Sequence, residues 1–491
     1  MYITANASRA APPELRGGRE RTVDSLKFGT SGLRGLVTQL TPDVCRAYVG
    51  AFLAHMADAG MTASGAALVG RDLRGSSPSI AAACLEAVAA AGIEAVDCGA
   101  LPTPALALET MRRGVPAIMV TGSHIPEDRN GLKFYRPDGE ITKVDEVAIT
   151  ARLRQPPAGR GRIAPPAADA GAARRYVERY RSQPGFALTG MTVGVYQHST
   201  VARDLLVELI EALGATVVPL ARSPVFVPVD TEALRPEDIA LARDWATSHR
   251  LDAIVTADGD ADRPLIADER GIFLRGDAVG VLTAAALAAD TVVTPVTSTS
   301  AVELSGLFGT VVRTRVGSPY VIEGMAGAGG VVVGFEANGG VLLGSPVRRD
   351  GLDLDPLPTR DAVLPILAVL SMARARGLSL SALGATLPQR YTASDRLKDY
   401  PAEVAAAFLA RLADDTSIAA FLGGRVELVG VDRTDGVRLL LAGGDTLHYR
   451  ASGNAPELRC YAESATQAQA EAWLAWGLDE ADRNRRAMQR D

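Results

Sequence analysis

One pattern of apolar and polar positions occurs three times along the chain. In each copy, an apolar run rich in β-branched residues is followed by a hydroxyl-rich turn, a helical stretch, a glycine and a second apolar run. The copies begin at GAALVGRD (residues 65–72), MTVGVYQHST (191–200) and DTVVTPVTSTS (290–300). Serine and threonine in these turns are suited to capping the helices. Each copy therefore predicts a βαβ unit, and together they predict three similar α/β domains with mixed, largely parallel sheets.

The C-terminal part of the chain follows a different pattern. Residues 427–454 alternate like antiparallel strands, and AQAEAWLAWGLDEADRNRRA (468–487) is helical, so a fourth domain of α+β type is predicted. A segment rich in Pro, Gly and Ala (153–172) indicates a linker. The predicted organisation is a flexible leader (1–24), domain 1 (25–152), the linker (153–172), domain 2 (173–271), domain 3 (272–385) and domain 4 (386–491).

Composition narrows the class of protein. At 491 residues, with 47% hydrophobic and 22% charged residues, the chain is typical of a multidomain globular protein. Its net charge of −6 gives no electrostatic footprint for nucleic acid or an anionic membrane. No apolar run reaches 18 residues, and the leader lacks the apolar core of a secretory signal. Four cysteines without CxxC spacing favour reduced thiols in a cytoplasm and argue against zinc.

The stretch AIMVTGSHIPEDRNGLKFY (117–135) carries the first candidate chemistry. Ser123 follows an apolar strand, where it can stand exposed at the carboxyl end of a parallel sheet, the usual place for ligand sites in α/β folds. Lys133 is one of only four lysines in the chain. An ordinary turn serine is the simplest alternative. A serine-hydrolase elbow is disfavoured, because Thr121 and Ile125 stand where G-x-S-x-G requires glycine.

A second motif, IVTADGDADRPLI (254–266), predicts a metal site. Asp258, Asp260 and Asp262 alternate directly after a strand, and three such carboxylates require a hard cation. An EF-hand is disfavoured because its sixth position, which needs glycine, is Arg263, and because a strand precedes the loop. Mg²⁺ is the preferred ion, and a solvated acidic turn is the alternative.

The motif GFEANGG (334–340) alternates an acceptor, Glu336, with an amide, Asn338, between glycines. The vicinal hydroxyls of a sugar are a suitable partner for this pair. The signal is weak by itself, since a hairpin turn explains it equally well.

The fourth motif, HYRASGNAPELRCY (448–461), has the chemistry of a phosphate cradle: two cations, a hydroxyl and exposed backbone N–H groups. An ordinary turn with surface arginines is the alternative. The residues concerned are Arg450, Ser452, Gly453, Asn454 and Arg459.

Taken in order, these motifs resemble those of the α-D-phosphohexomutase superfamily. The matching stretches are FGTSGLRG, GRDLRGSSP, TGSHIPEDRNGLKF, DGDADR, FEANGG and RASGNAPELR, which span residues 28 to about 464. The sequences of the first and third motifs, FGTSGLRG and TGSHIPEDRNGLKF, most resemble those of the bacterial phosphomannomutase/phosphoglucomutase group. The resemblance implies four domains around a central cleft, three of them similar, and a mobile fourth domain.

The resemblance also implies roles for individual residues. Ser123 would be a phosphoserine. Mg²⁺ would be held by Asp258, Asp260 and Asp262 together with one oxygen of that phosphoserine. Lys133 would be the preferred proton mover and Arg34 the second choice, with His124 fixing the loop. Arg263, Glu336 and Asn338 would bind the sugar phosphate, and the phosphate that does not react would lie on Arg450, Ser452, Gly453, Asn454 and Arg459.

The implied activity is a reversible conversion of mannose 6-phosphate and mannose 1-phosphate, with a hexose 1,6-bisphosphate as intermediate and activator. Some relatives have histidine where this chain has Ser318 and Gly340, so the identity of the sugar stays open. The alternatives are phosphoglucomutase, then phosphoglucosamine mutase, a non-catalytic sugar-phosphate sensor or a phosphatase. The sequence leaves monomer and dimer equally open.

Overall fold

The fold was analysed in a computed structural model that describes residues 26–29, 32–153, 169–452 and 456–488. The predicted flexible leader and most of the predicted linker lie outside these residues, as do Gly453 and Asn454. Within the described residues, no helix is both long and apolar enough to cross a membrane. The four cysteines are all buried and unbridged, in agreement with the expected reduced thiols.

The first region contains a seven-stranded mixed sheet in the order β1-β2-β6-β5-β3-β4, with β7 paired to β6. Its helices begin after favourable caps: Thr41 accepts a hydrogen bond from Val44 N, and α4 starts in a capping box between Thr142 and Asp145. The elements are β1 (Lys27–Gly29), β2 (Gly32–Leu36), α1 (Pro42–Asp58), β3 (Ala66–Arg71), α2 (Ser77–Ala90), β4 (Glu94–Ala100), α3 (Thr103–Arg113), β5 (Ala117–Val120), β6 (Arg129–Arg136), β7 (Gly139–Glu140) and α4 (Lys143–Arg152).

The second region has a four-stranded sheet in the order β11-β10-β8-β9. Its elements are α5 (Gly171–Arg181), β8 (Thr192–His198), α6 (Arg203–Ala212), β9 (Thr216–Arg222), α7 (Pro236–His249), β10 (Ala253–Ala257) and β11 (Pro264–Ala267).

The third region has a five-stranded sheet in the order β13-β12-β14-β15-β18, with a small β16–β17 hairpin beside it. Its elements are α8 (Gly276–Ala286), β12 (Thr291–Pro295), α9 (Ala301–Leu304), β13 (Thr310–Thr314), α10 (Ser318–Ala326), β14 (Val332–Phe335), β15 (Val341–Leu343), β16 (Val347–Arg349), β17 (Leu352–Leu354), β18 (Leu357–Asp361), α11 (Val363–Arg376) and α12 (Leu380–Gly384).

The C-terminal region is a five-stranded antiparallel sheet in the order β19-β23-β22-β21-β20, covered by helices, as the alternating pattern predicts. Its elements are β19 (Tyr391–Leu397), α13 (Ala402–Arg411), α14 (Asp415–Leu422), β20 (Leu428–Asp432), β21 (Val437–Leu441), β22 (Thr446–Ala451), β23 (Leu458–Ser464) and α15 (Gln467–Met488).

The threefold sequence pattern corresponds to one topology used three times. In each copy, the first strand pairs in parallel with the second and the third, and the third pairs antiparallel with a fourth. The sheet orders are β4-β3-β5-β6, β9-β8-β10-β11 and β13-β12-β14-β15. The predicted class, three similar α/β domains and a C-terminal α+β domain, is confirmed.

The hydroxyl-rich turns do not cap helices, which corrects the sequence prediction. The N-cap side chains of α2, α6 and α9 make no capping hydrogen bond. The hydroxyls bond elsewhere instead: Ser77 donates to Asp72 of its own turn (2.5 Å), whereas Thr200 donates to the carbonyl of Asp258 (2.7 Å) and Thr299 to Glu463 (2.8 Å), both distant in the chain. Tertiary contacts therefore compete successfully with local capping. The third helix of the pattern, α9, is also shorter than predicted, and the chain leaves it through Gly306 at φ 62°.

Successive side chains of each strand point to opposite faces of its sheet, and both faces are buried. One face of each of the three α/β sheets lies in a single shared apolar core. Leu68, Val193, Val255 and Val292 belong to the shared core. Val69, Ile254 and Val293, each adjacent in the chain to one of these residues, belong instead to separate clusters, one for each sheet. The C-terminal region has an apolar core of its own, around Tyr400 and Tyr449. The first three regions are thus fused by packing, whereas the fourth is joined to them mainly by polar contacts.

A buried carboxylate joins the first region to α5. Glu109 is 1% exposed and accepts hydrogen bonds from Arg112, Arg113 and Arg175, at 2.6–3.1 Å for the Arg112 and Arg175 contacts. Burial by itself would raise the pKa of Glu109, but these hydrogen bonds lower it to about 2.

Candidate functional site

Three of the four candidate loops occupy equivalent places in the three α/β units. The serine loop (121–128) joins β5 to β6, the triad loop (258–263) joins β10 to β11, and the glutamate loop (336–340) joins β14 to β15. Each follows the third strand of its unit, at the carboxyl end of the parallel strands, where α/β sheets form ligand sites. The repeated topology therefore places one candidate functional loop in each of the three units.

Ser123 is held in a strained conformation against the triad loop. Its φ of 52° lies in the left-handed region, which is unfavourable for a residue with a Cβ. Its Oγ donates to Asp258 Oδ2 at 2.6 Å and lies 3.2 Å from Nδ1 of His124. The side chain is at the predicted end of the strand, but the expectation that it stands exposed is wrong: Ser123 is 1% exposed, because the triad loop covers it.

A single arginine holds the backbone of the serine loop. The guanidinium of Arg74 donates to the carbonyls of Ser123 (2.9 Å), Ile125 (2.5 Å), Pro126 (2.7 Å) and Arg129 (3.1 Å). Arg74 is 1% exposed. Gly122 permits this approach, since a Cβ there would lie 2.7 Å from the guanidinium carbon of Arg74.

Contacts on two further sides fix the position of Arg74. Its Nε lies 3.3 Å from Asp72 Oδ2, which also accepts a hydrogen bond from Thr121 Oγ1 at 2.8 Å. Its guanidinium carbon lies 3.9 Å from the ring centroid of Phe226, in the second region. The serine loop is therefore supported by two adjacent regions of the fold.

The carboxylates of Asp258, Asp260 and Asp262 converge as the sequence predicts. One oxygen from each lies within 4.8 Å of the others, and all three residues are buried. Lys133 Nζ donates to Asp260 and Asp262, at 2.6 Å in both cases. Thr103 donates to Asp260 at 2.5 Å.

The donor set fits a hard divalent cation. Oδ1 of Asp260 and Oδ1 of Asp262 are buried and find no hydrogen-bond partner within the described residues. Buried carboxylate oxygens without partners are costly, and an oxygen-only ligand set is the kind that Mg²⁺ takes. The residues present are therefore compatible with a magnesium ion held by the triad.

Burial and neighbouring charges together set the pKa values of these groups. Burial, reinforced by Asp262 and Asp260, raises the pKa of Asp258 well above its usual value. For Asp262, burial raises the pKa, but Arg360, Lys133 and Arg263 outweigh it and hold the pKa below its usual range. The pKa of Lys133 is raised because Asp260 and Asp262 outweigh the effect of burial.

Arg34 and His124 lie in the same electropositive surroundings. Burial, together with Arg263, lowers the pKa of Arg34 to about 10. Burial and the same arginine lower the pKa of His124 to about 2, so the imidazole is neutral at neutral pH.

The glutamate loop is a hairpin turn, the alternative that its sequence left open, and it connects to the triad through an arginine of β18. Arg360 Nη1 donates to Glu336 Oε2 at 2.9 Å, and Nη2 donates to Asp262 Oδ2 at 2.8 Å. Asn338 Oδ1 accepts from Gly340 N at 3.0 Å, and its backbone carbonyl accepts from Thr231 at 2.9 Å.

A cavity of about 950 Å³ lies beside this cluster and is lined by all four regions. Arg263 and Asn338 form part of its wall, as do Arg450, Ser452 and Arg459 from the C-terminal sheet. Ser123, the three aspartates and Glu336 are not among the residues that line it. Nε and Nη1 of Arg263 are buried without hydrogen-bond partners in the described structure.

Two arginines of the C-terminal sheet lie side by side in the cavity wall. Arg450 of β22 and Arg459 of β23 are directly opposite in register. The Nε atoms of both are buried without hydrogen-bond partners among the described residues, although Arg450 Nε lies 3.6 Å from Asp435 Oδ2. Two adjacent guanidinium groups suit a doubly charged anion such as a phosphate.

Sequence reasoning missed three residues of this site. Asp72 and Arg74 lie in GRDLRGSSP, which was used as a motif but given no role, although two charged residues next to a glycine-rich turn were a signal. Arg360 lies in an apolar-flanked stretch, LPTRDAV, that carries no local signal. Its partners are 98 and 24 residues away in the chain.

Comparisons with known proteins agree with this architecture. Four family models match in order: phosphoglucomutase/phosphomannomutase alpha/beta/alpha domain I (residues 25–158), domain II (174–271), domain III (275–391) and the C-terminal domain (395–475). The chain is 49% identical over 467 residues to a phosphomannomutase of Sinorhizobium fredii, covering 92% of this chain and 98% of that one. It is 46% identical over 451 residues to a phosphomannomutase of Salmonella muenchen, covering 90% and 92%.

A solved structure shows the same fold at lower identity. It is a phosphoglucomutase/phosphomannomutase family protein of Burkholderia thailandensis, with a TM-score of 0.76 and 22% identity over 94% of this chain and 97% of that one.

Proposed function

The chain belongs to the phosphoglucomutase/phosphomannomutase family, and on that premise we propose that it is a phosphomannomutase, which interconverts mannose 6-phosphate and mannose 1-phosphate. The family consists of isomerases that move a phosphoryl group within a sugar phosphate, in agreement with the activity implied by the motifs. The relatives at 46–49% identity over most of both chains carry the name phosphomannomutase. Their similarity is what favours mannose over glucose.

One observation carries the proposal for the chemistry. Ser123 Oγ lies 2.6 Å from Asp258, within a buried triad that has two carboxylate oxygens without partners. A serine that served only to form a turn would not need three buried carboxylates beside it. We assign Ser123 as the residue that carries the phosphoryl group between the two ends of the sugar.

The proposed metal site consists of Asp258, Asp260 and Asp262, together with an oxygen of phosphorylated Ser123. When bound there, Mg²⁺ would neutralise negative charge on the transferring phosphoryl group. Arg74 and Asp72 hold the serine loop, so that Ser123 Oγ keeps one direction throughout the reaction.

The proposed reaction has two half-steps, each of which transfers one phosphoryl group. In the first, a sugar hydroxyl attacks the phosphorus of phosphoserine, the bond from phosphorus to Ser123 Oγ breaks, the sugar hydroxyl loses its proton and Ser123 Oγ gains one. The product is a hexose 1,6-bisphosphate, which turns over in the cavity. In the second half-step, Ser123 Oγ loses its proton and attacks the other phosphorus, the bond from that phosphorus to the sugar oxygen breaks, and the sugar oxygen gains a proton. Lys133, 2.6 Å from two aspartates and protonated at neutral pH, is the proposed proton mover: its ammonium gives a proton to Ser123 Oγ and takes up the proton of the sugar hydroxyl, with Arg34 as second choice. His124 is proposed to fix the serine loop.

The cavity can hold the part of the substrate that does not react. Arg450, Ser452 and Arg459 are proposed to bind the distal phosphate, and Arg263 and Asn338, which also line the cavity, to contact the sugar. Glu336, which is not in the cavity wall, is assigned to the sugar from its sequence motif. Gly453 and Asn454 are also proposed to bind the distal phosphate, on the basis of the sequence motif alone. A cavity of about 950 Å³ is larger than one hexose bisphosphate needs, which allows the intermediate to turn without leaving.

The test is an isomerisation assay of the full chain with Mg²⁺, a trace of glucose 1,6-bisphosphate as activator, and either mannose 1-phosphate or glucose 1-phosphate. The expected result is mannose 6-phosphate formation that falls by at least ~10³-fold in Ser123→Ala. Ser182→Ala, which alters an exposed serine after α5, serves as the matched control.

Other outcomes would contradict parts of the proposal. Inorganic phosphate as the sole product would indicate a phosphatase, and binding without turnover a sensor. A higher kcat/KM for glucose 1-phosphate would make the chain a phosphoglucomutase instead.

A further inference from the structure

We propose that Arg360 is a positioning residue that couples the carboxylate triad to Glu336, so that the metal site and the sugar-contacting loop keep one fixed arrangement. The inference rests on the proposed function, because it gives Asp262 and Glu336 the roles assigned above. Nothing in the local sequence of β18 marks this residue.

The first observation is the geometry of the guanidinium group. Nε and Nη2 donate to Asp262 Oδ2 at 3.2 and 2.8 Å, and Nη1 donates to Glu336 Oε2 at 2.9 Å. Arg360 is 4% exposed, and both of its partners are buried. The guanidinium is planar and rigid, so the two carboxylates it holds are fixed relative to each other. Asp262 and Glu336 belong to two different sheets, and this side chain bridges them directly.

The second observation is that the glutamate loop is shaped around Arg360. A Cβ added to Gly340 would lie 2.7 Å from Cδ and 2.9 Å from Cγ of Arg360, and 3.0 Å from the carbonyl oxygen of Asp262. The arginine stem therefore fills the space that a side chain at position 340 would occupy. A guanidinium held at both ends cannot move its stem aside without losing a charged contact.

The third observation is that the residues on both sides of Arg360 in the chain are anchored. Thr359 Oγ1 donates to Glu140 of the first region at 2.8 Å. Asp361 Oδ1 accepts from Tyr176 of α5 at 2.6 Å. The next backbone N–H, that of Ala362, donates to the carbonyl of Ala261 in the triad loop at 3.3 Å. The end of β18 thus contacts three regions. Arg360 is held at this point, where it contacts both the triad loop and the glutamate loop and keeps them in place.

Removing the positive charge of Arg360 should change sugar binding and divalent-cation binding in opposite directions. Glu336 loses its cation and its fixed direction, so binding of the sugar weakens. Asp262 loses a competing positive charge while keeping Lys133 at 2.6 Å, so the triad attracts a divalent cation more strongly. A role confined to stability would weaken both.

The experiment uses the full chain with Arg360→Met, which keeps much of the stem length without the charge. We expect KM for mannose 1-phosphate to rise about tenfold or more, as loss of a charged hydrogen bond implies. Calorimetric titration with Mg²⁺ should give a Kd that is equal or lower. Arg374→Met, which alters an exposed arginine of α11, is the control and should change neither value.

A double-mutant cycle with Glu336→Gln tests whether Arg360 acts through Glu336. The double variant should raise KM about as much as either single variant, whereas independent roles would multiply the two effects. Weaker Mg²⁺ binding together with a multiplied KM would overturn the inference. If the wild type converts neither sugar phosphate, the proposed function fails, and the Mg²⁺ titration still reports on the link between Arg360 and Asp262.

Discussion

Replacement of Arg74 by methionine should disorganise the serine loop. The substitution keeps an unbranched apolar stem but removes the donors to four backbone carbonyls, at 2.5–3.1 Å. It also leaves Asp72 buried without its arginine partner, which is 3.3 Å away.

The magnitude follows from the burial of the lost contacts. A buried acceptor left without a partner costs about 1–3 kcal/mol, and breaking a buried ion pair costs about 3–5 kcal/mol. These costs are not additive, since the loop can relax and Asp72 can take up a proton. We therefore expect a loss of about 3–5 kcal/mol in the free energy of unfolding of the region that contains the loop.

Two measurements test this expectation. Denaturant unfolding should show the loss of stability, and intact-mass analysis after incubation with glucose 1,6-bisphosphate should show little phosphorylation of Ser123. Arg129→Met is the matched control, because Arg129 belongs to the same segment but is exposed. If Arg74→Met unfolds within 1 kcal/mol of the wild type, which is the resolution we expect of the assay, and phosphorylates normally, the reasoning is refuted.

Three further predictions concern other parts of the fold. Gly259→Ala should reduce kcat strongly, measured by the mutase assay, because its Cβ would lie 2.8 Å from the carbonyl oxygen of Ser123; unchanged kcat would show that the two loops can separate at no cost. Glu109→Gln should lower stability at neutral pH by about 1–2 kcal/mol after allowance for solvent screening. Because the pKa of Glu109 is lowered to about 2, this difference should be complete above about pH 4.5 and disappear as the pH falls towards 2 in acid unfolding curves. Glu463→Gln should loosen the C-terminal region, since Glu463 accepts from Thr299 at 2.8 Å; faster proteolysis between the third and fourth regions would show it, and equal rates would contradict it.

Much of the fold was predictable because its signals are local. The apolar β-branched runs and glycine stops predict the βαβ units, and the structure repeats one topology wherever the pattern repeats. The hydroxyl-rich turns were misinterpreted as helix caps. Their side chains had two possible partners, and only the folded chain brings the second partner, such as Asp258 or Glu463, within reach.

The residues of the candidate site also fall into two groups, those that local sequence signals identify and those that only distant contacts identify. Residues clustered within one loop, such as Asp258, Asp260 and Asp262, could be recognised because strand geometry alone brings alternate side chains to one side. Residues that act across sheets could not be recognised, because their partners are distant in the chain. Arg74 and Arg360 belong to this second group, and the burial of Ser123 follows from the same cause, since the loop that covers it comes from another region.

The sequence by itself determined which chemical groups this protein has and on which local elements they lie, because hydrogen bonding and side-chain alternation along a strand depend on neighbouring residues. Only the tertiary structure decided how those groups meet. Three loops from equivalent positions in three packed sheets converge, and buried arginines compensate their charge, because the shared apolar core fixes the sheets relative to one another.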